Sequence, residues 1–221
     1  DIIPFQKKSI LSSNSLKKDF EKGFKLMTKY KEFNGNLEDI FDLNYTAKLY
    51  ALYDIGKIRH SYHWHNQRFY YNPKENKLEH IAFDCFAGIE EGIEDVIYGY
   101  SDKNSYDFKM TYLSKQFFNN DLFVANYKKF LDKFSNEEYL TNIINKYSNS
   151  SDSLNTILKY EFQDYEFDIN YLIDDAKAVR DLLSSYTSNH DFLVKPTKYD
   201  YTSVENNYFP SIGIKANKHV N

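Results

Sequence analysis

Apolar positions recur at helical spacing along most of the chain. From about Asn14 to Phe33, Leu16, Phe20, Phe24, Met27 and Tyr30 share one face, lysines and glutamates lie opposite, and Asn34-Gly35-Asn36 ends the helix. A second helix is predicted from Asp42, its N-cap, through Leu43, Ala47, Tyr50, Ala51 and Ile55 to Gly56. Residues 99–107, rich in Gly, Ser, Asp and Asn, read as a loop. Tyr106 to Phe118 is a candidate helix, and another begins near Asp121 with Phe123, Tyr127, Phe130 and Phe134 on one face. Ser135-Asn136-Glu137-Glu138 fits a capping box opening a helix through Tyr147. Ser148 to Ser153 reads as a polar linker before a helix carrying Leu154, Ile157, Leu158 and Phe162. Asp168 or Asn170 starts the last helix, with Leu172, Ile173, Ala176, Val179 and Leu183 inward.

The period changes between His60 and Asp84. Two β-prone runs, His60–Tyr71 and Leu78–Asp84, are separated by Asn72-Pro73 and Asn76, which predicts a hairpin. Alternation would put His63, His65, Gln67 and Phe69 on one face and Trp64, Asn66, Arg68 and Tyr70 on the other. On the return, Leu78, His80, Ala82 and Asp84 oppose Glu79, Ile81 and Phe83. Four of the six histidines and the one tryptophan fall here. So many polar groups on an aromatic hairpin are costly to bury without partners, which marks it as the candidate site. The expected fold class is α+β, mostly α-helical, with a central β-hairpin flanked by helices. Residues 1–194 read as one unit and 195–221 as a polar, extended tail or the start of a following segment.

Composition narrows the function only a little. The 221 residues suffice for one sizeable core, and 21 Tyr and 18 Phe can fill it. A net charge of −4 with no basic stripe gives no case for nucleic acid. The single cysteine, Cys85, excludes an intrachain disulfide and a cysteine-based zinc site, and leaves the compartment open. No apolar run reaches the length of a membrane span. The chain opens on Asp1 without a signal sequence and is expected to be processed or a fragment.

Within the hairpin and the helix before it, Ala47-Lys48-Leu49-Tyr50-Ala51-Leu52-Tyr53-Asp54, His60, Trp64-His65-Asn66, Arg68-Phe69-Tyr70, Asn72-Pro73, Leu78-Glu79, Ile81 and Phe83-Asp84 stand in a distinctive order. This block resembles the central block of the spore-coat protein H (CotH) kinase family. Phe117-Phe118-Asn119-Asn120-Asp121 and Glu138-Tyr139-Leu140 are similar to its next segment, so the resemblance covers about residues 30 to 185. It implies a kinase-like C-terminal lobe that transfers phosphoryl groups from ATP to protein hydroxyls with Mg²⁺ or Mn²⁺. Carried over by position, it makes Asn66 and Asp84 the metal and phosphate ligands, an amide oxygen and a carboxylate suited to a hard cation. Arg68 beside them would pair with phosphate, or with Glu79 across the hairpin. The resemblance also implies an extracytoplasmic or cell-surface location.

Ser61 departs from the kinase pattern, because the catalytic Asp belongs five positions before the metal-binding Asn. His60 could assist the attacking hydroxyl instead, since imidazole titrates near neutrality; Asp54 is a more distant candidate. No Gly-rich phosphate loop or strand Lys is present, so an N-terminal lobe is expected outside this chain. Two rival readings stand beside the kinase. One is a catalytically inactive, pseudokinase-like module that binds an assembly partner. The other is a metallohydrolase using His63, His65 and Asp84, with His60 and His80 as further zinc or iron ligands. The plainest reading has the histidines packing and hydrogen-bonding, Asn66 and Asp84 as ordinary strand residues, and Trp64 filling the core. Glu90 to Asp95 reads as a solvated turn, and Asp107-Phe108-Lys109 as a chance likeness to D-F-G.

Overall fold

In the computed structural model, residues 2–85, 113–164 and 169–185 are described. The acidic run, the 99–107 loop, Asp107-Phe108-Lys109, the start of the 106–118 helix and the 194/195 boundary lie outside them. The described chain is α+β and mostly helical. Helix α1 is Lys7–Ser12, α2 Asn14–Lys31, α3 Leu37–Ile40 and α4 Leu43–Ile55. Strands β1, Arg68–Asn72, and β2, Lys77–Ile81, follow, and then α5, Asp121–Phe134, α6, Glu137–Glu161, and α7, Asn170–Ser185. A short 3₁₀ helix at Ser114–Asn119 stands where the end of an α-helix is expected.

Side-chain caps fix most helix starts. Ser13, Asn36, Asp42, Asn120 and Asn136 each accept from a backbone N–H of the first turn. The cap of α6 is therefore Asn136; Ser135 instead ends α5. Asp42 and Gly56 bound α4 as the sequence predicts.

Helix α4 carries buried residues nearly all round, because it is covered on several sides. Its most extensive contact is with α5, and α7, β2 and the turns after Arg59 also touch it. Around it Tyr30, Phe41, Tyr50, Tyr53, Tyr62, Phe117, Phe123 and Tyr127 are fully or almost fully buried. Their rings meet mainly edge-on or tilted, as at Tyr50–Tyr62 (4.7 Å, 67°) and Phe41–Phe117 (5.0 Å, 66°), the arrangement favoured by ring quadrupoles. Of the residues expected inward on α7, Ala176 and Val179 are buried while Ile173 is exposed.

The two strands pair antiparallel, Arg68 opposite Ile81 and Asn72 opposite Lys77. Leu78 and His80 share a face as expected, and it is the buried one; α2 covers the hairpin, with buried Gly23 against Tyr71. Arg68 and Glu79 are not paired across the sheet. Glu79 lies opposite Tyr70 and accepts a 2.6 Å hydrogen bond from Asn72 Nδ2. Among the described residues no helix is long and apolar enough to cross a membrane.

Candidate functional site

The hairpin is shorter than the sequence predicts, and the reason lies in Asn66. Its Nδ2 donates to the His60 carbonyl at 3.2 Å and to His60 Nδ1 at 2.9 Å. Its backbone N–H donates to His63 O at 2.9 Å, and that of His63 to His60 O at 3.2 Å. Bonds of this kind compete with a strand ladder. Residues 59–66 accordingly form two 3₁₀ turns, Arg59–Tyr62 and Trp64–Asn66, and extended pairing starts only at Arg68. The alternation expected from His63 onward is thereby overturned. Asn66 and Gln67 are adjacent, yet both are buried. Gln67 knits the turns to the core, accepting from Tyr30 Oη at 3.3 Å and donating to Ser114 Oγ at 2.5 Å and Tyr62 O at 3.2 Å. Trp64 is half-buried against that core.

Asp84 reaches the same place from the other end of the hairpin, three residues past β2. Its φ of 47° lies in the left-handed region, which Asp and Asn tolerate better than most residues. Ser61, fully buried, holds the chain on either side of it. Its Oγ donates to Phe83 O at 2.9 Å and lies 2.8 Å from Cys85 Sγ. Since a hydroxyl has one proton, the Cys85 thiol is placed to donate back. His60 Nδ1 lies 3.1 Å from Asp84 O and 3.4 Å from Asp84 Oδ2.

His60 therefore stands between Asn66 and Asp84, and its tautomer decides which it serves. Nδ1 without a proton accepts from Asn66, whereas Nδ1–H donates to the carbonyl or carboxylate of Asp84. With Nδ2 committed to His60, the Asn66 amide oxygen accepts no hydrogen bond among the described residues.

His63 and His65 complete the cluster. The ring centroids of His60, His63 and His65 lie 5.0 to 5.6 Å apart, and one nitrogen from each falls within 4.8 Å of the others. Partial burial, then the neighbouring His60, hold the His65 imidazole below its ordinary range, against an opposing pull from Asp84. Arg68 flanks the site. It donates from Nη1 to His65 O at 2.8 Å and Gln67 O at 3.0 Å, with its guanidinium 4.4 Å from the Phe83 ring centroid.

Two other residues weighed from the sequence fall elsewhere. Asp54 is buried in the core, where Tyr62 Oη donates to it at 3.2 Å and Tyr127 Oη donates to the same carboxylate oxygen. His80 is fully buried, stacked on Phe69 at 4.9 Å and edge-on to Tyr50 and Tyr53. The structure thus gathers His60, Asn66, Arg68 and Asp84, adds His63 and His65, and leaves out Asp54 and His80. It adds Ser61 and Cys85 as fasteners of the Asp84 loop, for which no local sequence signal exists because the pair is 24 positions apart. No family model, curated protein or solved structure matches the chain.

Proposed function

We propose that the chain is the C-terminal-lobe portion of an atypical, CotH-like protein kinase. The observation that carries this reading is that the hairpin brings Asn66 and Asp84, eighteen positions apart in the sequence, to one atom, Nδ1 of His60, at 2.9 and 3.4 Å. The donor set suits a hard divalent cation. Asn66 has its amide nitrogen tied back and its oxygen unclaimed among the described residues, and Asp84 supplies an exposed carboxylate. Mg²⁺ or Mn²⁺ held there with ATP would neutralise phosphate charge as the γ-phosphoryl group leaves. Arg68 Nη2 and Nε remain for a phosphate oxygen.

His60 takes the proton of the attacking protein hydroxyl. The hydroxyl oxygen bonds to the γ-phosphorus, and the bond from that phosphorus to the bridging oxygen breaks, releasing ADP. The expected setting is extracytoplasmic, and the expected partner is a protein substrate. Ser61 favours a second reading, a module that binds nucleotide or an assembly partner without turnover. A serine offers no carboxylate at the position where kinases place one, and both contacts of its hydroxyl are spent on the Asp84 loop.

Titration calorimetry with ATP and Mg²⁺ separates these readings. Asp84→Asn is the informative variant, because Asn keeps the left-handed backbone while losing the charge. The wild type should bind, and Asp84→Asn should bind at least about tenfold more weakly, a loss of ~1.4 kcal/mol or more. Absent binding, or equal binding by the variant, contradicts the kinase reading and the nucleotide-binding form of the second. Binding without phosphoryl transfer selects the second.

A further inference from the structure

We infer that His60, His63 and His65 form a binding site for a zinc-class divalent transition metal, separate in ligand chemistry from the oxygen site of Asn66 and Asp84. The three imidazoles come from one short stretch whose conformation the core fixes. Gln67 and Ser114 anchor the turns from beneath, through Gln67 Nε2 and Ser114 Oγ to Tyr62 O at 3.2 and 2.8 Å. Asn66 anchors them from within, through its bond to His60 O. The two 3₁₀ turns bring positions 60, 63 and 65 together, which an extended strand could not do for His60.

One nitrogen from each ring lies within 4.8 Å of the other two. Nitrogens bound to one zinc ion at about 2.0–2.1 Å stand roughly 3.3 Å apart in a tetrahedron, so small side-chain rotations close the site. Neutral imidazole is a borderline ligand that selects zinc, cobalt, nickel or copper over magnesium. Three histidines with no fourth protein ligand among the described residues leave one position open, the pattern of sites that take water or a substrate atom. Asp84, 3.4 Å from His60 Nδ1, is placed as the outer carboxylate that commonly orients a metal-binding histidine. Zinc binding here needs no phosphoryl transfer, but a zinc-bound His60 with its other nitrogen on Asp84 has no lone pair left to take a proton, so zinc occupancy and the base role of His60 exclude one another.

The test uses the full chain stripped with chelator, then titrated with Zn²⁺ against a competing indicator and with Co²⁺ followed by visible absorption. The wild type should bind one Zn²⁺ and give the intense visible bands of four-coordinate cobalt. His63→Gln/His65→Gln should lose at least about a hundredfold in zinc affinity, about tenfold per ligand. His65 is exposed and His63 half-buried, so the melting curve of the variant is recorded beside its affinity, and His65→Gln alone should lose about tenfold. The cobalt spectrum of the wild type reads the site even if the variant is unstable. A wild type that binds zinc no more tightly than the double variant, or that gives only the weak bands of six-coordinate cobalt, overturns the site.

Discussion

At the scale of single residues, Ser61 best shows how chemistry and support divide within the site. It occupies the position at which a kinase would place a carboxylate, yet its hydroxyl is buried and spent on Phe83 O and Cys85 Sγ. Ser61→Ala would leave that carbonyl without its partner, a loss of about 1–3 kcal/mol. Urea unfolding should show it, and the Cys85 thiol should react faster with a disulfide reagent as its loop loosens. An unchanged labelling rate would mean that Ser61 does not fasten the loop. Asn66 and Asp84 became candidates through the family resemblance of their block, and Arg68 by its place beside them. The Ser61–Cys85 contact had no such signal, because nothing local to either residue announces a partner 24 positions away.

At the scale of elements, helices with one wet face were readable and the polar exceptions were not. The bounds of α4 followed from Asp42 and Gly56. Helix α6 instead runs unbroken through the stretch Ser148–Ser153 that reads as a linker. Ser148 Oγ donates to Asn145 O, Ser153 Oγ to Asn149 O and Thr156 Oγ1 to Asp152 O, so these hydroxyls are satisfied inside the helix. Residues 148–153 carry no apolar side chain, so the stripe that ends at Tyr147 and resumes at Leu154 is interrupted there although the helix is not.

The hairpin was readable as a pair of strands but not in its first half, where Asn66 turns the chain back on His60. Its packing on α4 carries a pH dependence through His80. Burial among Phe69, Tyr50 and Tyr53 lowers this imidazole from 6.5 to about 3. Below the unfolded value of 6.5 the unfolded chain takes up a proton that the folded chain refuses. This contribution to stability is therefore whole above that pH and is lost as pH falls towards 3. At pH 5 the loss is about 2 kcal/mol. Urea melts of His80→Phe should show a shallower acid slope than the wild type, whatever constant offset the larger ring brings. Equal slopes would contradict the assignment to His80.

At the scale of the whole molecule, an aromatic core seats a two-stranded hairpin against α2, α3 and α4. One end of the hairpin carries all the candidate chemistry. The buried Asp54, held by Tyr62 and Tyr127, and the ion pair of Lys57 with Asp175 at 2.5 Å tie α4 to the turns, to α5 and to α7. A site so supported is preorganised, which the proposed positioning chemistry requires. The architecture was foreseeable as mostly helical with a hairpin, because apolar periodicity reports burial. The site's assembly was not, because it depends on side-chain bonds that periodicity does not record.

The central claim is that Asn66 and Asp84 together hold a divalent cation on a nucleotide. Mn²⁺ in the presence of ATP tests it most directly, through paramagnetic broadening of amide signals in the labelled protein. The account predicts saturable broadening centred on His60, Asn66 and Asp84, abolished in Asp84→Asn and dependent on ATP. Broadening centred elsewhere, or unchanged in Asp84→Asn, would contradict it.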